Sequence, residues 1–180
     1  MKWAALAALA LVLIAMANGK KIRAELSKMG EGWNKLHPDV KARTLAVLEE
    51  ANQHFKAKGL QVGMFEGWRD VSQQLDRIAA GASTVRDPLR SYHPWGLAVD
   101  FVFLKGPGLW TWDPDNLGKG ADQRLSKSWQ ELGAIIKRHG FEWGGDWVSL
   151  FDGPHAQLPI KRTGALIAQF DKPEEWISWA

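Results

Sequence analysis

Two short stretches hold the residue types that could bind a metal or move a proton: Ser91-Tyr92-His93-Pro94-Trp95-Gly96-Leu97-Ala98-Val99-Asp100 and Asp152-Gly153-Pro154-His155-Ala156-Gln157. Asp100 sits inside an apolar run, Leu97 to Leu104, that reads as a strand. A carboxylate buried there costs free energy unless it is paired or bound to a metal. Side chains alternate along a strand, so Leu97, Val99, Phe101 and Phe103 share one face while Ala98, Asp100 and Val102 share the other. Gly96 permits the bend that would bring His93 back over the Asp100 face. In the second stretch Pro154 fixes its own φ and biases Gly153 toward extended geometry, which holds Asp152 and His155 on one stiff segment. Two imidazoles and a carboxylate, with a fourth position left to water, suit a catalytic zinc ion. Asp152 would then lie beside that water. Either fragment alone is a weak signal, since Asp-Gly-Pro-His is also an ordinary turn. Spacing leaves the metal reading and the turn reading open. His37, His54 and His139 read as surface or satisfied core histidines.

The surrounding pattern says which elements must do the positioning. Val40, Thr44, Val47, Leu48, Ala51 and Phe55 fall near helical spacing, predicting a helix from about Asp39 to Lys58 with Gly59 as its stop. A shorter helix is permitted within residues 22–36. Leu60 to Phe65 reads as a strand, Asp70 to Ala80 as a second helix, and Ser126 to His139 as a third. Residues 82–95 are loop-like, and residues 105–122, rich in Gly, Asp and Pro, read as an exposed excursion. Short strands are expected near 147–151 and 155–159. The late strands lie too close together for helical crossovers, which favours an α+β fold: a small antiparallel or mixed sheet with helices packed on one side.

Taken together, Ser91-x-His93-x-x-Gly96-x-Ala98-x-Asp100, Trp143-Gly144-Gly145-Asp146-Trp147 and Asp152-x-Pro154-His155 resemble the peptidoglycan metallopeptidases related to D-Ala-D-Ala carboxypeptidases. Within them the chain is most similar to the L-alanyl-D-glutamate endopeptidases of phage endolysins and bacterial wall hydrolases. The resemblance runs from about Leu36 to Leu158. It implies a hedgehog/DD-peptidase-like fold, a Zn2+ cofactor held by His93, Asp100 and His155, and Asp152 as general acid/base. It also implies that Arg69, in Glu66-Gly67-Trp68-Arg69, binds substrate and steadies the oxyanion, with Gln73 as the glutamine that follows it. The reading adds Trp143 to Trp147 as a tight turn lining the cleft, with Trp143 as a substrate contact, Asp146 as a carboxylate that either orients a ligand histidine or caps a turn, and Ser91 as a contact to the substrate or to the residues around the metal. Ala156 and Val148 depart from the family pattern, which usually has an aromatic residue after Pro-His and a polar one after the Trp-Gly-Gly-Asp-Trp stretch. The expected partner is the peptidoglycan stem peptide, cut at L-Ala–D-Glu. The alternatives are a D,D-carboxypeptidase or dipeptidase releasing D-Ala, and a wall-binding module without catalysis.

Composition bounds the rest. A chain of 180 residues suits one domain, and a net charge of +3 is no nucleic-acid footprint. The absence of cysteine excludes disulfides and thiolate metal sites. Every residue from Trp3 to Ala17 is apolar, too short a run for an ordinary membrane span but suited to a secretory signal, with Ala15-Met16-Ala17 as the cleavage pattern. Lys20, Lys21 and Arg23 just after it keep an uncleaved anchor in play. The expectation is a leader or anchor at 1–17, a single catalytic domain at 18–180, and a monomer either exported to the envelope or periplasm or held at the inner membrane by that segment, with no other membrane contact. Eleven tryptophans against one tyrosine fit core packing for the most part, with stacking on sugar rings as the functional alternative.

Overall fold

The computed structural model describes residues 32–81, 83 and 85–160. The apolar leader at 1–17 and residues 22–31 of the first permitted helix lie outside them. Trp33–Lys35 forms a 3-10 turn. None of the helices among the described residues is long and apolar enough to cross a membrane.

Three helices match the three clearer sequence patterns. Helix α1 spans Pro38–Phe55 and buries Val40, Thr44, Val47, Ala51 and Phe55, a stripe at three- and four-residue spacing. It starts one residue earlier than the periodicity suggests because Pro38, with no N–H to satisfy, suits the first turn. Helix α2 spans Val71–Ala79 and opens on a capping box: Asp70 accepts from the Gln73 N–H while the Gln73 side chain accepts from the Asp70 N–H. Helix α3 spans Lys127–Arg138, is capped by Ser126, and buries Trp129, Leu132, Gly133, Ile135 and Ile136.

The sheet is antiparallel throughout. Strands β1 (Gln61–Glu66), β2 (Ala98–Leu104), β5 (His155–Gln157) and β4 (Glu142–Trp143) lie in the order β1-β2-β5-β4. A two-residue strand β3 (Trp110–Thr111) pairs with the far end of β2, on the edge that β5 occupies at the near end. The excursion at 105–122 therefore contains a strand that its Gly and Pro content hides. The strand expected at 147–151 does not form. The partner of β5 is instead Glu142–Trp143, and the chain from Gly144 runs through a 3-10 turn, leaving Val148 almost fully exposed.

The alternation along β2 divides the molecule. Leu97, Val99, Phe101 and Phe103 all join the apolar core under α1 and α3. Phe103 takes Phe55 and Trp129 edge-on, with ring centroids 5.1 and 4.8 Å away. The other face of β2 carries Asp100. The ladder between β1 and β2 bulges between Met64 and Glu66, so Glu66 pairs with Asp100 and Phe65 is the extra residue.

Candidate metal centre

Three elements bring His93, Asp100 and His155 together. His93 begins a 3-10 turn that Gly96 ends at φ 62°; a Cβ on Gly96 would stand 2.5 Å from the Lys35 carbonyl oxygen. Asp100 lies on β2 directly opposite His155 on β5. The backbone between Asp152 and His155 closes through His155 N–H donating to the Asp152 carbonyl at 3.1 Å, and Phe101 N–H donates to the Pro154 carbonyl at 2.9 Å. Gly144 makes room for this turn. A Cβ there would meet the Asp152 carbonyl oxygen at 2.6 Å and the Cβ atoms of Asp152 and His155 at 3.0 Å, and the Gly144 carbonyl accepts from Asp152 N–H.

The three inward atoms form a near-equilateral triangle. His93 Nε2 is 3.3 Å from His155 Nδ1 and 3.4 Å from Asp100 Oδ1, and His155 Nδ1 is 3.2 Å from Asp100 Oδ1. In a tetrahedral site with bonds of about 2.0–2.1 Å, ligand atoms are about 3.3 Å apart, so the donor set fits zinc in type and in spacing. Among the described residues no other cluster of ligating side chains has this convergence.

The outer nitrogens fix the tautomers. His93 Nδ1 donates to the Gly67 carbonyl at 2.7 Å, leaving Nε2 with its lone pair facing the triangle. His155 Nε2 lies 3.1 Å from Gln157 Oε1, and Gln157 donates its amide to Glu142 at 2.9 Å. Because Glu142 only accepts, Gln157 presents its oxygen to His155, and His155 Nδ1 is the free donor to a metal. Burial opposes a charge on Asp100, yet the two histidines outweigh it and hold its carboxyl well below the usual range. Burial also disfavours the imidazolium of His155, but the hydrogen bond and charge of Asp100 raise its pKa on balance. For Asp152 burial raises the pKa and Asp100 adds to it, against the pull of His155, His93 and Arg69.

Asp152 and Ser91 line the same cleft, of about 650 Å3, with Arg69, Phe65, Trp112 and Trp147. Arg69 is buried and doubly held: Nη1 donates to Glu66 at 2.6 Å and Nε to Gln74 at 2.6 Å. Ser91 Oγ accepts from His93 N–H at 3.4 Å.

The comparisons with known proteins follow the same motifs. Residues 84–158 match a family model described as D-alanyl-D-alanine carboxypeptidase. Over 129 residues the chain is 35% identical to the peptidoglycan L-alanyl-D-glutamate endopeptidase CwlK of Bacillus subtilis, covering 68% of this chain and 73% of that protein. The chain belongs to this family of peptidoglycan peptidases. A phage relative, the L-alanyl-D-glutamate peptidase of Listeria phage A118, is 34% identical over 131 residues, 73% of this chain and 41% of the phage protein. Among solved structures, the Serratia marcescens L-Ala D-Glu endopeptidase ChiX superposes with a TM-score of 0.50 at 27% identity, covering 71% of this chain and 84% of that one.

Three residues expected at the site stand elsewhere. Gln73 is spent on the α2 capping box; the glutamine that holds Arg69 is its buried neighbour Gln74. Trp143 is buried in the core rather than lining the cleft, and its Nε1 donates to the Gly153 carbonyl at 2.7 Å, steadying the Asp152–His155 turn from behind. Trp147, at the other end of the same stretch, does line the cleft, its ring centroid 5.1 Å from that of His155. Asp146 reaches neither imidazole and pairs with Lys137 at 2.8 Å. Gln157 was legible: two residues beyond His155 on one strand, it must share that face.

Proposed function

We propose that this chain is a zinc-dependent endopeptidase that hydrolyses the L-Ala–D-Glu bond of peptidoglycan stem peptides. The observation that carries the reading is the His93–Asp100–His155 triangle with Asp152 beside it in one cleft. The activity for which the relatives are named supports the bond chosen. Zinc held by the three residues would supply a Lewis acid and a water of near-neutral pKa. Asp152 takes the proton of the attacking water and returns it to the amine of the departing D-glutamate. Its partial burial suits that exchange, because desolvation raises its basicity while His155 and Arg69 keep the carboxylate accessible. Arg69, held in place by Glu66 and Gln74, offers fixed positive charge to the developing oxyanion and to the carboxylates of the substrate. Ser91 supports the backbone that carries His93 and borders the bound peptide.

The apolar segment at 3–17 supports delivery to the envelope, by export or by anchoring. Amino-terminal sequencing of the exported protein separates the two: a start at Asn18 means cleavage, a retained leader means an anchor.

Digestion of purified peptidoglycan with the zinc-loaded protein tests the activity. New amino termini on D-glutamate are expected. Release of free D-alanine alone would make the chain a carboxypeptidase, and wall binding with no new termini would make it a binding module.

A further inference from the structure

Trp110 and Trp112 remain 46% and 44% exposed, unlike Trp95, Trp129 and Trp143, which are buried. Exposed indoles on a short strand and just past its end need an explanation, and their placement supplies one. Trp110 pairs with Leu104, an even-numbered residue of β2, so it stands on the same face of the sheet as Asp100. Its ring reaches across that face to within 3.9 Å of the position a Cβ would take on Gly63 of β1. Phe65, the bulged residue of β1, joins the two indoles, with its ring centroid 6.0 Å from Trp110 and 4.9 Å from Trp112, both near-perpendicular. Phe65 and Trp112 also line the cleft, so the aromatic shelf is continuous with the site of hydrolysis. It is a rigid shelf: β3 pairs with β2, and Trp129 in the core donates its indole N–H to the Trp112 carbonyl at 3.1 Å.

We infer that Phe65, Trp110 and Trp112 form a glycan subsite that stacks on the amino-sugar rings of peptidoglycan next to the scissile bond. The inference rests on the endopeptidase reading. The L-alanine of a stem peptide is joined through a lactyl group to an amino sugar, so an enzyme cutting after that alanine works within one residue of the glycan. Alanyl and lactyl together span two residue equivalents, about 7 Å extended. From Asp100 to Leu104 along β2 is about 13 Å at strand rise, a span that the spacer and the first sugar ring together cover when the glycan leaves the site toward β3. Indole faces are apolar and flat, and suit the C–H face of a pyranose while its hydroxyl and acetamido groups stay in water. An enzyme that released terminal D-alanine would work at the far end of the stem and have no use for such a platform here.

The test compares two substrates of one peptide sequence, a disaccharide-linked stem peptide and the same peptide freed of sugar, for wild type and the variants W110A and W112A. In wild type the sugar is expected to raise kcat/KM by about tenfold, and each alanine variant should lose most of that preference while W112F retains it. An unaltered preference in both alanine variants would overturn the subsite. Tryptophan fluorescence of the wild-type protein, titrated with peptide-free amino-sugar strands, covers the case in which a variant fails to fold. A blue shift is expected, and no response to glycan, or a response to lipid vesicles instead, overturns the proposal. If wild type cut neither substrate at L-Ala–D-Glu, the endopeptidase reading would fail, while the fluorescence titration would still judge the shelf.

Discussion

At the scale of the residue, the site depends on groups of two kinds: those that face the metal position and those that hold them there. Asp152 belongs to neither the triangle nor its outer hydrogen bonds, so replacing it should separate chemistry from metal binding. D152N is expected to lower kcat by about 10^2–10^4-fold, the usual contribution of a positioned acid/base, with zinc content by elemental analysis unchanged. Gln157 is the complementary case. Its oxygen accepts from His155 Nε2 at 3.1 Å and fixes the ring so that Nδ1 faces Asp100. Q157L should keep all three ligands yet weaken zinc binding by about 10–100-fold, measured by competition with a chelator of known affinity. His93, Asp100, Asp152 and His155 were legible through their motifs taken together, since Asp100 in an apolar strand, His93 before the Gly96 bend, and Asp152 and His155 around Pro154 are each a weak signal alone. Gln73 and Gln74 were not separable, since adjacent residues of a helix differ only in which face they present, and the cap that claims Gln73 depends on where α2 begins.

At the scale of the element, the helices and β2 followed from periodicity, whereas β3 and β4, two residues each, carry too little pattern to stand out. What ties the excursion at 105–122 to the core is likewise invisible locally. Asp115 accepts from Ser126 Oγ at 2.7 Å, Ser128 N–H at 2.8 Å and Ser128 Oγ at 2.6 Å, at the amino end of α3. Both serines are fully buried, and the Ser126 hydroxyl also caps the helix by accepting from Trp129 N–H. D115A would leave buried hydroxyls without their acceptor, at a cost of about 2 kcal/mol or roughly 6 °C in Tm. Burial works against the charge of Asp115, but the hydrogen bonds of Ser128 and Ser126 outweigh it and hold its carboxyl below the ordinary value. A group whose folded pKa is depressed stabilises the fold above its unfolded pKa and loses that contribution as pH falls through the folded value. The Tm gap between wild type and D115A should therefore be full at neutral pH and narrow in acid below about pH 4.

At the scale of the whole molecule, the sheet is held by few long strands: β4 and β5 are two and three residues long, and β5 reaches β2 through only three paired positions. The motif residues are spread along the chain, with His93 and His155 62 positions apart, and no sequence pattern says that β5 must dock beside β2 rather than at an outer edge. The triangle supplies a reason. A cation bound by His93, Asp100 and His155 ties the turn before β2, β2 itself and β5 to one point, and it is available only when these three have assembled. Metal binding thus favours the folded state by mass action, by about 2.7 kcal/mol at a free zinc concentration of 100 times Kd. For a chain of this size that is about 5–10 °C in Tm. Wild-type protein should therefore melt lower after chelation and recover on adding zinc in a concentration-dependent way. H93A, which keeps β2 and β5 but removes one corner of the triangle, should melt at the same temperature with or without zinc and hydrolyse nothing. A zinc-independent Tm in the wild type would mean that the three side chains converge for packing alone.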